Sequence, residues 1–291
     1  MKLDLKNTER IIVVIRGGGD IATGVAQQFY RKGFWVAILE TAQPQAIRRT
    51  VSLSTAVYTD ECQVEEMKAC KVNSPKECEV VWKQRKIPVL IDPKGEYIKA
   101  LQPTILIDGI IAKKNLGTHR NMAPITIGLG PGFEAGVEVD VAVETMRGQN
   151  LGQLYFEGTA LPDTGIPGEI GGKSIQRVIY ASHSGKVTHI KKIGDQVEEG
   201  EEIFYIDQFP VPSPIDGTIR GLIHEGLLVK KGLKCGDVDP RPHHTVDCYS
   251  ISDKAKAIGK AALEAALFML REKEKSKESS SIEVDYNLTK I

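Results

Sequence analysis

The chain has no run of eighteen apolar residues, so no segment reads as a membrane-spanning helix. It also lacks a charge bias, 38 basic residues balancing 38 acidic ones. Without a basic stripe, affinity built on nucleic-acid phosphates or an anionic membrane surface is not expected. Cysteine is scarce and odd in number: Cys62, Cys70, Cys78, Cys235 and Cys248 are widely spaced. The opening MKLDLKNTER has no apolar stretch of the kind a secretory signal needs. Together these features predict reduced thiols in a cytoplasmic protein. Cys235, His243, His244 and Cys248 follow a C-x7-H-H-x3-C spacing that matches no common zinc pattern. No nucleophile elbow, GxxxxGK(S/T) loop or HExxH helix occurs, so spacing assigns no catalytic residue.

What is present is concentrated first in Ile11 to Glu40, IIVVIRGGGDIATGVAQQFYRKGFWVAILE. An apolar run meets Gly17-Gly18-Gly19-Asp20. Ala22, Val25, Ala26 and Phe29 then recur at helical spacing until Gly33, and a second apolar run ends in Glu40. Strand, glycine turn, helix, strand and acid is the order of a dinucleotide-binding βαβ unit. In that layout Gly17 permits the tight turn, and Gly19 lets a pyrophosphate approach the helix N-terminus. Ala22 allows close helix–strand packing, and Glu40 is placed to bond a ribose diol. Arg48-Arg49 follow closely enough to reach a nucleotide phosphate, although Glu40 would repel a 2′-phosphate.

Further strand-like runs end in loops: Pro88 to Ile91 before Asp92, Thr104 to Ile107 before Asp108-Gly109, Ile125 to Leu129 before Gly130, and Val137 to Val143 before Glu144 and Arg147. In an open parallel sheet, ligands sit beyond the carboxyl ends of the strands, so these loops are expected to converge on Gly17 to Asp20. Lys113, Lys114 and Asn115 offer charge and donors to phosphate or carboxylate. The Gly130 to Gly136 loop, with Gly132, offers backbone amides. Asp108, Lys113 and Lys114 are also the candidates for acid–base work beside a nicotinamide.

A second unit is announced by a repeat. SGKVTHIKKIGDQVEEGEEI (184–203) and DGTIRGLIHEGLLVKKGLKC (216–235) align with Gly185, Gly194, Val197 and Gly200 recurring as Gly217, Gly226, Val229 and Gly232, an offset of 32 residues. Alternating short strands at fixed spacing predict two copies of one β-unit that must pack together to bury their apolar faces. The pattern resembles the half-repeats of biotinyl and lipoyl domains, the barrel-sandwich hybrid. In the carriers of that family a hairpin lysine receives the cofactor. Here the hairpin Ile206 to Pro212 (IDQFPVP) has no lysine, so no covalent biotin or lipoyl is expected.

The expected fold is α/β: an N-terminal Rossmann-like parallel sheet, a second small all-β barrel-sandwich domain and a C-terminal helix. The boundaries are 1–147 for the nucleotide-binding domain, 148–176 for a Gly/Pro-rich connection and 177–241 for the β domain. A helix over 242–272, with Ser250 and Asp253 as a capping box and Ile258, Ala262, Ala265 and Met269 on one face, precedes a charged, frayed tail over 273–291.

Laid end to end, RGGGDIATGVA (16–26), AIRRTVSLSTAVY (46–58), DGIIAKKN (108–115), GLGPGFEAGVEVD (128–140), VETMRG (143–148), GIPGEIGG (165–172), KCGDVDPR (234–241) and ISDKAKAIG (251–259) resemble the YqeB family of selenium-dependent molybdenum hydroxylase system proteins. The chain departs from that pattern at Gln149 and Gln153, where histidine and arginine are usual. The resemblance implies an accessory or maturation role toward a xanthine-dehydrogenase-like client enzyme that uses a molybdopterin cofactor. The N-terminal unit is distantly similar to XdhC-type molybdenum cofactor chaperones. This implies that the glycine turn holds a nucleotide or dinucleotide, NAD or a molybdopterin dinucleotide, while the β domain docks the client. Two other readings of the same residues are an NAD-dependent oxidoreductase with an appended β-sandwich and a scaffold that binds no small molecule.

Overall fold

The computed structural model describes residues 11–288; the opening segment and the last three residues of the expected tail lie outside them. The N-terminal lobe begins β1 (Ile12–Arg16), α1 (Asp20–Arg31), β2 (Trp35–Glu40), as the apolar runs and the glycine turn dictate. It continues through α2 (Ala56–Thr59), β3 (Glu61–Val64), β4 (Met67–Val72), α3 (Pro75–Lys83), β5 (Ile87–Ile91), α4 (Ile98–Leu101) and β6 (Ile105–Asp108). β7 (Ile125–Leu129), β8 (Glu134–Ala135), β9 (Val141–Val143), β10 (Leu154–Tyr155) and β11 (Gly158–Thr159) follow. Nine strands form one sheet in the order β10-β9-β7-β6-β1-β2-β5-β4-β3. All neighbours are parallel except the edge pairs β9/β10 and β3/β4. The strand order reverses at β1, which has β2 on one side and β6 on the other, placing Arg16 beside Asp108. A crevice beyond the strand ends at such a switch point is where open α/β sheets bind ligands.

Helix α1 ends in a Schellman closure: the Phe34 N–H donates to Phe29 O (3.2 Å) and Gly33 N–H to Tyr30 O (2.9 Å). Gly33 takes φ +84° there, and Phe34 packs edge-on against Phe29. The predicted apolar face of α1, Ala22, Val25, Ala26 and Phe29, is fully buried against the sheet.

The β lobe comprises β12 (Val178–Tyr180), β13 (Gly185–His189), β14 (Gln196–Val197), β15 (Glu202–Ile206), β16 (Phe209–Pro212), β17 (Gly217–Leu222), β18 (Leu228–Val229) and β19 (Lys234–Asp239). The 32-residue offset holds strand by strand, β13, β14 and β15 recurring as β17, β18 and β19. The copies interlock, because β13 pairs with β18 and β14 with β17. Two four-stranded sheets, β12-β19-β17-β14 and β16-β15-β13-β18, enclose one apolar core without closing into a barrel.

The chain then returns to the first lobe. Helix α5 (Asp253–Leu288) buries Ala255, Ile258, Ala262, Ala265 and Ala266 in the same core as α1 and the sheet. Its cap is Ser252, whose Oγ accepts the Ala255 N–H (3.2 Å), and not the Ser250/Asp253 box that the pattern predicts. It also continues beyond residue 272, where a frayed tail is expected. No glycine or proline interrupts 271–288, and Glu272–Lys275 makes an i,i+3 pair (2.7 Å), so helix-forming residues carry it on. Among the described residues no helix is long and apolar enough to cross a membrane.

Candidate functional site

The glycine turn is built by close packing. Gly17 has φ +89°, and a Cβ there would meet Gly109 O at 3.0 Å; one on Gly18 would lie 3.0 Å from Ser54 N. Both glycines are thus required by neighbouring backbone, at the ends of β6 and in the loop after β2. Gly19 differs: its φ is −67°, and nothing lies within 4 Å of a Cβ placed on it. It is the N-cap of α1 and makes no side-chain cap bond, which leaves the amides of the first turn without a side-chain acceptor.

Glu40 turns back on this loop. Its carboxylate accepts the N–H of Gly18 (2.7 Å) and of Thr41 (2.7 Å). Burial raises its pKa above the ordinary glutamate value, with those amides opposing the rise. Its side chain therefore braces the glycine turn. Asp108 is also internal: its Oδ2 accepts the Thr118 hydroxyl (2.6 Å) and lies 3.5 Å from the Arg16 guanidinium, both charged side chains being 2% exposed. Burial pushes the Asp108 pKa up.

The next loops hold one another. Asn115 donates to Thr118 O and Glu138, and accepts the amides of Gly117 and Thr118. Gly132, at φ +100°, lies against the Lys114 backbone, where a Cβ would be 2.5 Å from Lys114 Cα. In the Gly130 to Gly136 loop the two outer glycine amides are engaged: Gly130 N–H donates to Val143 O of β9 (2.8 Å) and Gly136 N–H to Val139 O (2.8 Å). From these loops Lys113 and Pro131 line the large cleft, where Lys113 pairs with Asp163 (2.7 Å).

That cleft, about 1090 Å³, lies between the two lobes. α1 opens onto it through Asp20 and Ile21, the Gly/Pro-rich connection forms one wall through residues 161–170, and β17, β19 and α5 contribute Arg220, Lys234 and Lys254. Seven cationic side chains line it against five carboxylates. Most of those carboxylates are occupied. Asp237 binds Arg177 (2.7 Å) and approaches Arg220 (4.0 Å), and Glu144 accepts the amides of Thr145, Met146 and Leu161 at 2.7–2.8 Å. Arg48, Arg147, Lys234 and Lys254 make no side-chain hydrogen bond or ion pair among the described residues. Burial lowers the pKa of each; Arg220 adds to this at Arg48 and Arg147, and Arg147 at Lys254, while Asp20 and Asp237 oppose it at Arg48 and Lys234, Asp253 at Arg147, and Asp20 and Glu144 at Lys254.

The structure thus brings Asp20, Lys113, Arg48 and Arg147 to one cleft and leaves Glu40, Asp108, Asn115, Gly130 and Gly132 as its framework. Arg49 turns away, donating to Leu222 O (2.6 Å) to join the lobes. Arg220, Lys234 and Lys254 have no sequence spacing that ties them to the glycine turn, so motif reading passes over them. Cys235 and Cys248 are buried in the β core, and His243 Nδ1 contacts the Thr218 hydroxyl.

No protein-family model matches the chain. It is 44% identical over 261 residues to the "Uncharacterized protein YqeB" of Escherichia coli (strain K12), over 90% of this chain and 48% of that protein. The chain is a relative of YqeB and spans about half the length of that protein. Two solved structures show a distant likeness that carries no argument. TcdA (CsdL) is 13% identical with a TM-score of 0.33, over 93% of this chain and 90% of that one. A succinylglutamate desuccinylase from Silicibacter sp. TM1040 is 9% identical with a TM-score of 0.23, over 78% and 84%.

Proposed function

We propose that the chain is an accessory protein in the maturation of a selenium-dependent molybdenum hydroxylase, and that it binds a nucleotide or dinucleotide where α1 meets the interlobe cleft. The molybdenum link rests on the motif resemblance. The binding site rests on one observation: an unobstructed helix N-terminus at Gly19 opens onto a cleft with four unpaired cations. Positive helix ends and guanidinium groups both favour phosphate. Ile21, Ile47, Ile111 and Leu161 add apolar lining for the uncharged part of such a ligand. In this reading Arg48 and Arg147 hold phosphate oxygens, Glu40 keeps the glycine turn in shape, and the β lobe forms the second wall and presents a surface to the client.

Native mass spectrometry of the chain purified from a host that makes molybdenum cofactor tests this. A dinucleotide-sized adduct is expected, its mass separating a nicotinamide from a molybdopterin species, and a folded chain without adduct would overturn the binding site. Gly19→Val is a clean companion. Backbone and space at Gly19 both accept a side chain, so the fold should persist while ligand affinity falls at least tenfold.

A further inference from the structure

The unpaired cations of the cleft come from four separate segments: Arg48 after β2, Arg147 after β9, Lys234 on β19 and Lys254 in the first turn of α5. Arg48 is 6% exposed, and its buried Nε–H meets no acceptor. A buried guanidinium without a partner is costly, so an arrangement that holds several cations together implies a counter-anion. The carboxylates that line the cleft supply it only in part: Asp237 is paired with Arg177, although its Oδ1 meets no donor, Asp163 pairs with Lys113, and Glu144 accepts three backbone amides. Asp20 faces the group from α1 and Glu169 from the connection, two negative charges against four positive ones. A volume of about 1090 Å³ exceeds what a single orthophosphate fills.

We propose that the cleft is a polyphosphate site, which takes inorganic pyrophosphate or the polyphosphate of a nucleotide and clamps it between the two lobes. Arg48 and Arg147 present planar forks suited to bidentate phosphate contact, and Lys234 from the β lobe and Lys254 from α5 add point charges. Because the ligands come from both lobes, the anion ties the β lobe to the α/β lobe. The proposal deepens the anion half of the reading above and rests on it there, but it stands without the nucleoside or the molybdenum client.

The test is calorimetric titration of the full chain with inorganic pyrophosphate, in EDTA, with orthophosphate and NAD titrated in parallel. Pyrophosphate should bind at least tenfold tighter than orthophosphate. Lys254→Gln and Arg147→Gln, on the surface of the cleft, should each weaken it about tenfold with little change in melting temperature, and Lys254→Arg should restore it. Asp20→Asn removes a like charge and should tighten binding severalfold. No pyrophosphate binding, or binding indifferent to Lys254→Gln and Asp20→Asn, overturns the proposal. Pyrophosphate bound without any nucleotide would support this site and refute the nucleotide reading. A nucleotide bound with affinity unmoved by Lys254→Gln would do the reverse.

Discussion

At the scale of single residues, buried acids set the pH response. Glu40 is held above the ordinary value near 4.5, mainly by burial. An acid whose pKa is raised on folding contributes stability that is full below its unfolded value and is lost as pH rises through its folded one. Wild type should therefore lose urea stability relative to Glu40→Gln as pH rises above about 4.5, and parallel curves would show that Glu40 does not titrate in this way. The pair of Arg16 and Asp108 makes a second prediction. Asp108→Ala removes the carboxylate beside a guanidinium that is 2% exposed and leaves that charge with only neutral acceptors, at a cost of about 3 kcal/mol, read as a lowered urea midpoint. The thiols give a third: burial pushes Cys78 up to about 12 and Cys62 and Cys235 up to about 11. These three should resist thiol reagents at pH 8 until the protein is unfolded, as mass mapping of labelled peptides would reveal.

At the scale of elements, the contact between α1 and α5 depends on small residues. A Cβ on Gly24 would lie 2.7 Å from the Ala255 backbone, and one on Gly259 would lie 2.5 Å from Gly24 O. Gly24→Val should force the helices apart and cost about 3 kcal/mol or more in chemical unfolding, against a small effect at the open Gly19. The periodicity of Ile258, Ala262 and Ala265 was legible because an amphipathic helix repeats with its own period. The partner of that face was not, since α1 lies more than 200 residues earlier. The cap at Ser252 was missed for a related reason: several capping residues adjoin, and the local geometry selects among them.

At the scale of the whole molecule, the chain leaves the α/β lobe, builds the β lobe and comes back. The sheet face that carries Ile127 and Val141 is covered by α5. A chain ending at residue 252 should therefore fail to fold, which circular dichroism and size-exclusion chromatography would register; a cooperative, soluble fragment would contradict this. The lobes also meet directly, through Arg49 on Leu222 O and the stacking of Tyr58 on His224 at 3.8 Å.

The sequence by itself determined the βαβ start, the alternation of strands and helices and the doubled β-unit, because each rests on local periodicity and on glycines at fixed offsets. It also pointed to the glycine turn and to Asp20, which lie within one such unit. Which of the nearby polar residues face the cleft was decided only by tertiary structure. Glu40, Asp108 and Asn115 carry the residue types of a binding site, yet each finds partners inside the fold. Lys234 and Lys254 look like ordinary charges along the chain, and they meet Arg48 and Arg147 only when the β lobe and α5 close over the sheet. Charge density in a cleft depends on distances in space, and no spacing along the chain encodes it.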